Sequence, residues 1–244
     1  EDATWAYSSS AQKIGVSSQA MIVLRNRFFA LFYRILALGA FLTSLVFFWR
    51  EFYEYTYAPI WYFEVEAGLF YLFILFLAII LNIIDLRRGI SGLASSVYMP
   101  VSLAATAYCF IGGIMGLGYM LPFQGMKSLP CILYYVALIL IPLLEWILFE
   151  EKGGVAFYTG LNWMIYPVLY MVFSLFRAVI FPDSPVIEAN GSMYCYSFYN
   201  PNDPLFFLWI FLSFLGMFLF FVFLLFLNNC LGRKYKKKKN ILFD

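Results

Sequence analysis

Residues 63–88 read FEVEAGLFYLFILFLAIILNIIDLRR, and this run decides the fold. From Ala67 to Ile84 it carries no charged side chain. A helix needs about 20 mostly apolar residues to cross a bilayer, and this stretch is of that kind. Five more stretches match it: Phe28–Trp49, Val97–Leu121, Pro130–Phe149, Leu161–Phe181 and Leu205–Leu231. All six are continuous rather than alternating, so they predict helices and not barrel strands. The composition agrees. The 244 residues are 64% hydrophobic and 12% charged, against about 25% charged in soluble domains. The expected fold is an all-α integral membrane protein, a six-transmembrane-helix bundle spanning 28–231. A polar N-terminal segment, 1–27, precedes it and a basic C-terminal tail, 232–244, follows. Residues 1–24 show no signal-peptide pattern, and the chain opens on Glu1 rather than Met, as after removal of a leader or within a longer product.

Basic residues assign a direction to the bundle. Lys13, Arg25, Arg27, Arg87, Arg88, Lys152 and the run from Arg233 to Lys239 fall on one side. Glu51, Glu54, Glu64, Glu66, Asp183, Glu188 and Asp203 fall on the other. Both termini are therefore expected on the cytoplasmic or equivalent side, with the basic tail against an anionic leaflet. Asn190-Gly-Ser is a glycosylation sequon, and it falls in the last outer loop. Cys131 and Cys195 fall on that outer side too, where a disulfide between them is open, although a shared side is not proximity. The chain has no histidine. That excludes Ser-His-Asp and Cys-His triads and the usual zinc and haem sites. No ATP-binding, nucleic-acid-binding or metal motif is present, and no cofactor is expected.

Polar residues inside the spans fall in register. In the fifth, Trp163, Tyr166, Tyr170, Ser174 and Arg177 follow steps of three and four and share one helix face. In the second, Glu64, Gly68, Tyr71, Leu75, Ala78, Asn82 and Asp85 do the same, with Gly68 and Ala78 permitting close approach. In the third, Gly112, Gly113 and Gly116 fit close helix packing. The charge-derived direction puts Glu64, Glu66, Tyr135 and Arg177 in the outer half, and Arg34, Asn82, Glu145 and Asn162 in the inner half. Two readings follow: buried polar clusters that fix helix register, or an outward polar cleft formed by Glu64, Glu66, Tyr135, Tyr170, Ser174, Arg177, Tyr194 and Tyr196. An Arg177–Glu64 or Arg177–Glu66 ion pair is expected in either case.

The stretch LLEWILFEEKGGVAFYTGLNWMIYPVLYMVFSLFRA, 143–178, resembles the six-span membrane family of androgen-induced proteins and their bacterial relatives. The resemblance is carried by Glu145-Trp146, Lys152-Gly153, Trp163, Tyr166-Pro167, Tyr170 and Arg177. The aromatic loop Tyr194-Cys195-Tyr196-Ser197-Phe198-Tyr199-Asn200 resembles the family's last outer loop without its two prolines. The likeness covers the C-terminal half well and the N-terminal half mainly in span count. It implies an intramembrane hydrolase of fatty acid esters of hydroxy fatty acids, with a threonine nucleophile and an assisting histidine. At the matching positions this chain has Glu64 and Tyr135, so both catalytic residues are absent.

The expected function is accordingly a non-catalytic member that binds membrane lipids or serves as a subunit beside other membrane proteins. One alternative is a lipid-ester hydrolase in which Glu64 acts as general base, with Tyr135 and Arg177 polarising the carbonyl oxygen. Another is a small transporter using Glu64, Arg177, Asn82 and Glu145, although no three-plus-three repeat is evident.

Overall fold

A computed structural model of the chain describes residues 26–51, 58–90, 97–120, 128–181 and 194–241. Helix α1 is Arg27–Glu51, and a 3-10 turn at Ala58–Trp61 leads into α2, Phe63–Arg87. Helix α3, Met99–Met115, ends in a π turn at Gly116–Met120, and α4 is Leu129–Phe149. The fifth span is two helices, α5 (Thr159–Trp163) and α6 (Ile165–Ile180), and a 3-10 turn at Ser197–Tyr199 precedes α7, Phe206–Ile241. There is no strand among the described residues. Among the described residues, six segments are long and apolar enough to cross a bilayer, as the apolar runs predict. The exposed surface agrees: large apolar side chains such as Phe32, Phe73, Phe76, Leu133, Phe176, Phe207 and Phe211 cover the outer faces.

Two boundaries move in ways that matter. The second span begins at Phe63 and not Ala67, so Glu64 and Glu66 lie in the first helical turn rather than before it. Carboxylates there complement the helix dipole. The last helix runs on to Ile241, past the end of the apolar run at Leu231.

The helices alternate in direction. Arg27 pairs with Asp85 at 3.1 Å, joining the start of α1 to the end of α2. Asn229 of α7 holds both backbone groups of Val155, beyond the end of α4. This is the Arg27 end of the bundle; the opposite end carries Tyr196. Helices α1 to α4 pack closely on one another, while α7 rests more lightly on α3 and on the short α5. Small residues allow the tight group. A Cβ on Gly112 would sit 2.9 Å from Glu64 Cα, and one on Gly116 would enter the Tyr135 ring. The expected glycine packing of the third span is thus observed.

Candidate functional site

Both predicted polar stripes face inward. Glu64, Gly68, Tyr71, Leu75, Ala78 and Asn82 are buried along α2, with Asp85 half-buried at its end. Trp163, Tyr170, Ser174 and Arg177 are buried on the fifth span, with Tyr166 half-buried between them. They form two polar clusters at different depths.

The first cluster surrounds Glu64, which has no exposed surface. It lies well inside the bundle, because α3 continues from Gly112, at the level of Glu64, to Met120, roughly 12 Å beyond. The segment 194–199 fills that recess. Tyr196 is fully buried, and its hydroxyl donates to Glu64 Oε2 at 2.5 Å. The Tyr196 hydroxyl oxygen also accepts the Phe63 N–H at 3.1 Å. The N-cap residue of α2, Tyr62, makes no side-chain cap bond, so Tyr196 satisfies from another segment a backbone donor that a local cap would normally take. Tyr134 donates to the Glu64 carbonyl at 3.0 Å, reaching over Gly68, where a Cβ would stand 2.7 Å from the phenol oxygen. Tyr135 is a near neighbour of the Glu64 carboxylate. Glu64 Oε1 has no hydrogen-bond partner.

Arg177 does not meet this carboxylate. The ion pairs among the described residues are Arg27–Asp85 and Arg34–Glu145, so the expected Arg177–Glu64 and Arg177–Glu66 pairs are corrected. Arg177 instead lies 5.1 Å over the Trp61 ring and donates to Cys195 Sγ at 3.8 Å. Trp61 belongs to the 3-10 turn before α2, and Tyr170 donates to its carbonyl at 2.7 Å. Glu66 is held by Tyr166, whose hydroxyl donates to Oε2 at 2.9 Å. Tyr170 therefore braces the entry to α2, Ser174 is buried beside it on the same stripe, and Tyr194 is half-buried against the core. The open Cys131–Cys195 pairing is not formed: both are buried free thiols. Burial pushes the Cys195 thiol up, against the pull of Arg177, so it stays protonated and is a poor nucleophile. Burial also raises Tyr196 and Tyr62, which keeps both as phenols. Asn190 lies outside the described residues.

The second cluster lies at the Arg27 end. Arg34 meets Glu145 at 2.6 Å and donates to the Ala78 carbonyl at 3.2 Å. Asn82 donates to the Arg27 carbonyl, and Tyr33 to that of Ile141. Just beyond α4, Lys152 donates to the Trp146 and Glu150 carbonyls and sits 4.6 Å over the Trp146 ring. Glu150 is buried and accepts from Ser102. Its carboxyl is pushed up to about 7, mainly by burial, and Lys152 is pushed down to about 8 for the same reason. Trp146 Nε1 donates to Asn228 at 3.4 Å. Glu150, Asn228 and Asn229 were not marked by the stripes; the polar pair Asn228-Asn229 inside an apolar run was the available signal. Along α2 the two clusters are roughly 21 Å apart. Buried Phe41, Leu75 and Leu138 pack between them.

Two clefts open where packing is thinner. One, of about 760 Å³, lies between α3 and α7 below the 194–203 loop, and Met115, Tyr199, Trp209, Gly216 and Phe220 line it. The other, of about 720 Å³, lies between α2, α3 and the fifth span, lined by Glu66, Phe70, Tyr108, Asn162 and Tyr166 among others. Glu64 lines neither cleft. Among the described residues no group of histidine, cysteine or carboxylate side chains is placed to hold a metal.

No protein-family model matches the chain, and neither a curated protein nor a solved structure matches it. The likeness to the six-span hydrolase family therefore rests on the quoted motifs.

Proposed function

We propose that this multi-pass membrane protein is a non-catalytic, lipid-binding member of its kind, with the Arg27 end on the cytoplasmic side. The cleft between α3 and α7 carries the reading. At about 760 Å³ it falls within the range of small-molecule sites. Its lips include Ile114, Trp209 and Leu212, which are exposed on the apolar surface, so an acyl chain enters sideways from the hydrocarbon. Asp203 and Ser213 are the polar side chains of the lining beside the phenols of Tyr119 and Tyr199.

The hydrolase alternative draws support from the meeting of Glu64 and Tyr135, but the rest of the site opposes it. A general base must reach a water beside the scissile carbonyl. Glu64 lines neither cleft and its Oε2 is occupied by Tyr196. Cys195, a soft nucleophile in the same cluster, is held as a thiol. The role left to Glu64 is structural: it anchors the Tyr196 segment in the recess.

Gly216 gives the test. A Cβ there meets nothing within 4 Å and Gly216 lines the cleft, so Gly216→Trp is expected to fill the site. Lipid that co-purifies with the wild type is quantified by mass spectrometry and is expected to fall at least ~10-fold in the variant. Equal lipid in both proteins overturns the reading. Turnover of a long-chain ester panel that disappears in Glu64→Gln would instead establish the hydrolase.

A further inference from the structure

The second cleft differs in chemistry from the first. It combines one carboxylate with a wall of aromatic rings. Glu66 sits on α2 with Phe63 three residues before it and Phe70 four residues after it, so the three share a helix face. Across the cleft Tyr166 contacts Phe63, with ring centroids 5.4 Å apart, and Tyr108 at 4.9 Å. Tyr108 in turn lies 6.3 Å from Phe70. The rings form a continuous surface around the Glu66 carboxylate, further enclosed by Trp163 and Tyr158. Tyr108 is locked in place by donating to the Trp163 carbonyl at 2.8 Å.

Among the described residues, no arginine or lysine lines this cleft. Neither ion pair among the described residues includes Glu66, whose hydrogen bond is the one from Tyr166. A carboxylate inside an apolar bundle needs a compensating charge or a donor, and a single phenol supplies only the second. Aromatic faces carry negative charge density and attract an ammonium group, and such cages recognise quaternary and protonated amines. The exposed Phe70, Tyr98 and Tyr158 form the lips, and buried Ala104 with half-buried Val101 continues the lining, so an alkyl tail has an apolar path along α3.

We infer that the cleft between α2, α3 and the fifth span binds the protonated amine head of a single-chain cationic amphiphile, with Glu66 as counter-ion and the Phe70–Tyr108–Tyr166 rings as the cage. Carboxylate and rings both select for positive charge, and among the described residues the lining supplies only neutral donors, such as Thr159 and Asn162, and no cation to balance a phosphate or a second carboxylate. A long-chain amine therefore fits better than a zwitterionic or anionic lipid. The site is separate from the α3–α7 cleft and does not depend on the function proposed for it.

The test uses the full chain in non-ionic maltoside micelles. Three C16 probes carry a mid-chain diazirine: an amine, an alcohol and a carboxylic acid. After irradiation, labelled peptides are mapped by mass spectrometry. The amine is expected to label 98–108 and 158–166 at least ~10-fold more than the acid, and unlabelled hexadecylamine is expected to compete it away. Glu66→Gln retains the acceptor for Tyr166 but not the charge; it should lower amine labelling to the level of the alcohol and leave alcohol labelling unchanged. Phe70→Leu, a second and milder variant, should weaken amine labelling severalfold while the alcohol is unaffected. Equal labelling by amine and acid, amine labelling that survives Glu66→Gln, or label confined to 209–220 each overturns the assignment.

Discussion

Replacing Tyr196 by phenylalanine removes one oxygen and two hydrogen bonds. The hydroxyl donates to Glu64 Oε2 and accepts from Phe63 N, and all three groups are buried. Interhelical hydrogen bonds in membranes average only ~0.6 kcal/mol, because the separated helices find other partners. That average does not transfer here. Glu64 Oε1 already lacks a partner, so the substitution removes the donor at Oε2 and leaves Tyr135 as the remaining polar neighbour, and neither cleft reaches the carboxylate. A bond to a charged acceptor contributes ~1.5–3 kcal/mol, and an orphaned backbone N–H adds ~1 kcal/mol or more. The expected loss is therefore ~2–4 kcal/mol, read as unfolding free energy in bicelles or as a fall in thermal midpoint. A double-mutant cycle with Glu64→Leu isolates the pair. With the carboxylate already gone, the Tyr196→Phe cost should shrink to the N–H contribution, giving a coupling of ~1.5 kcal/mol or more. A Tyr196→Phe loss of ~0.6 kcal/mol or less would refute the reasoning, because it would mean that the recess re-solvates freely.

Gly112→Ala places a methyl 2.9 Å from Glu64 Cα and should cost ~1–3 kcal/mol, whereas Gly39→Ala meets nothing within 4 Å and should be neutral or mildly stabilising in the same unfolding assay. Glu145→Leu leaves Arg34 buried without its carboxylate and should cost ~3–5 kcal/mol, while Arg34→Met combined with Glu145→Leu should recover most of that loss. Glu150 titrates at about 7 in the folded chain against an ordinary 4.5, so the folded state holds its proton more tightly. Its contribution to stability is full below about 4.5 and is lost as pH rises through about 7. Glu150→Gln keeps an acceptor for Ser102 and should therefore flatten the thermal midpoint over this window and exceed wild type at its upper end; unchanged pH dependence in the variant would exclude this origin. Lys152 has the opposite sense, its contribution being full above 10.5 and lost as pH falls through about 8, so Lys152→Met should gain on wild type below that point.

Legibility differed between the helices and their contacts. The stripe from Glu64 to Asn82 was readable because helix period and a lipid surround together force its polar residues inward. The same holds for Trp163, Tyr170, Ser174 and Arg177. Which inward residue meets which was not readable. Arg177 and Glu64 share a depth and have opposite charge, yet the guanidinium lies on the Trp61 face and the carboxylate is taken by Tyr196. That outcome depends on the turn at Ala58–Trp61 and on the 194–199 segment, neither of which has a periodicity to read.

The amino-acid order alone determined six spans, their inward faces and the small residues where helices touch, since each follows from local apolar length, a 3.6-residue period and the size of a missing side chain. Tertiary structure decided the rest. The offset of α2 against α3 creates the recess that Tyr196 fills, and the looser seating of the fifth span and α7 leaves the two clefts. Relative helix offsets are set by packing among distant segments, and no local property of any one helix specifies them.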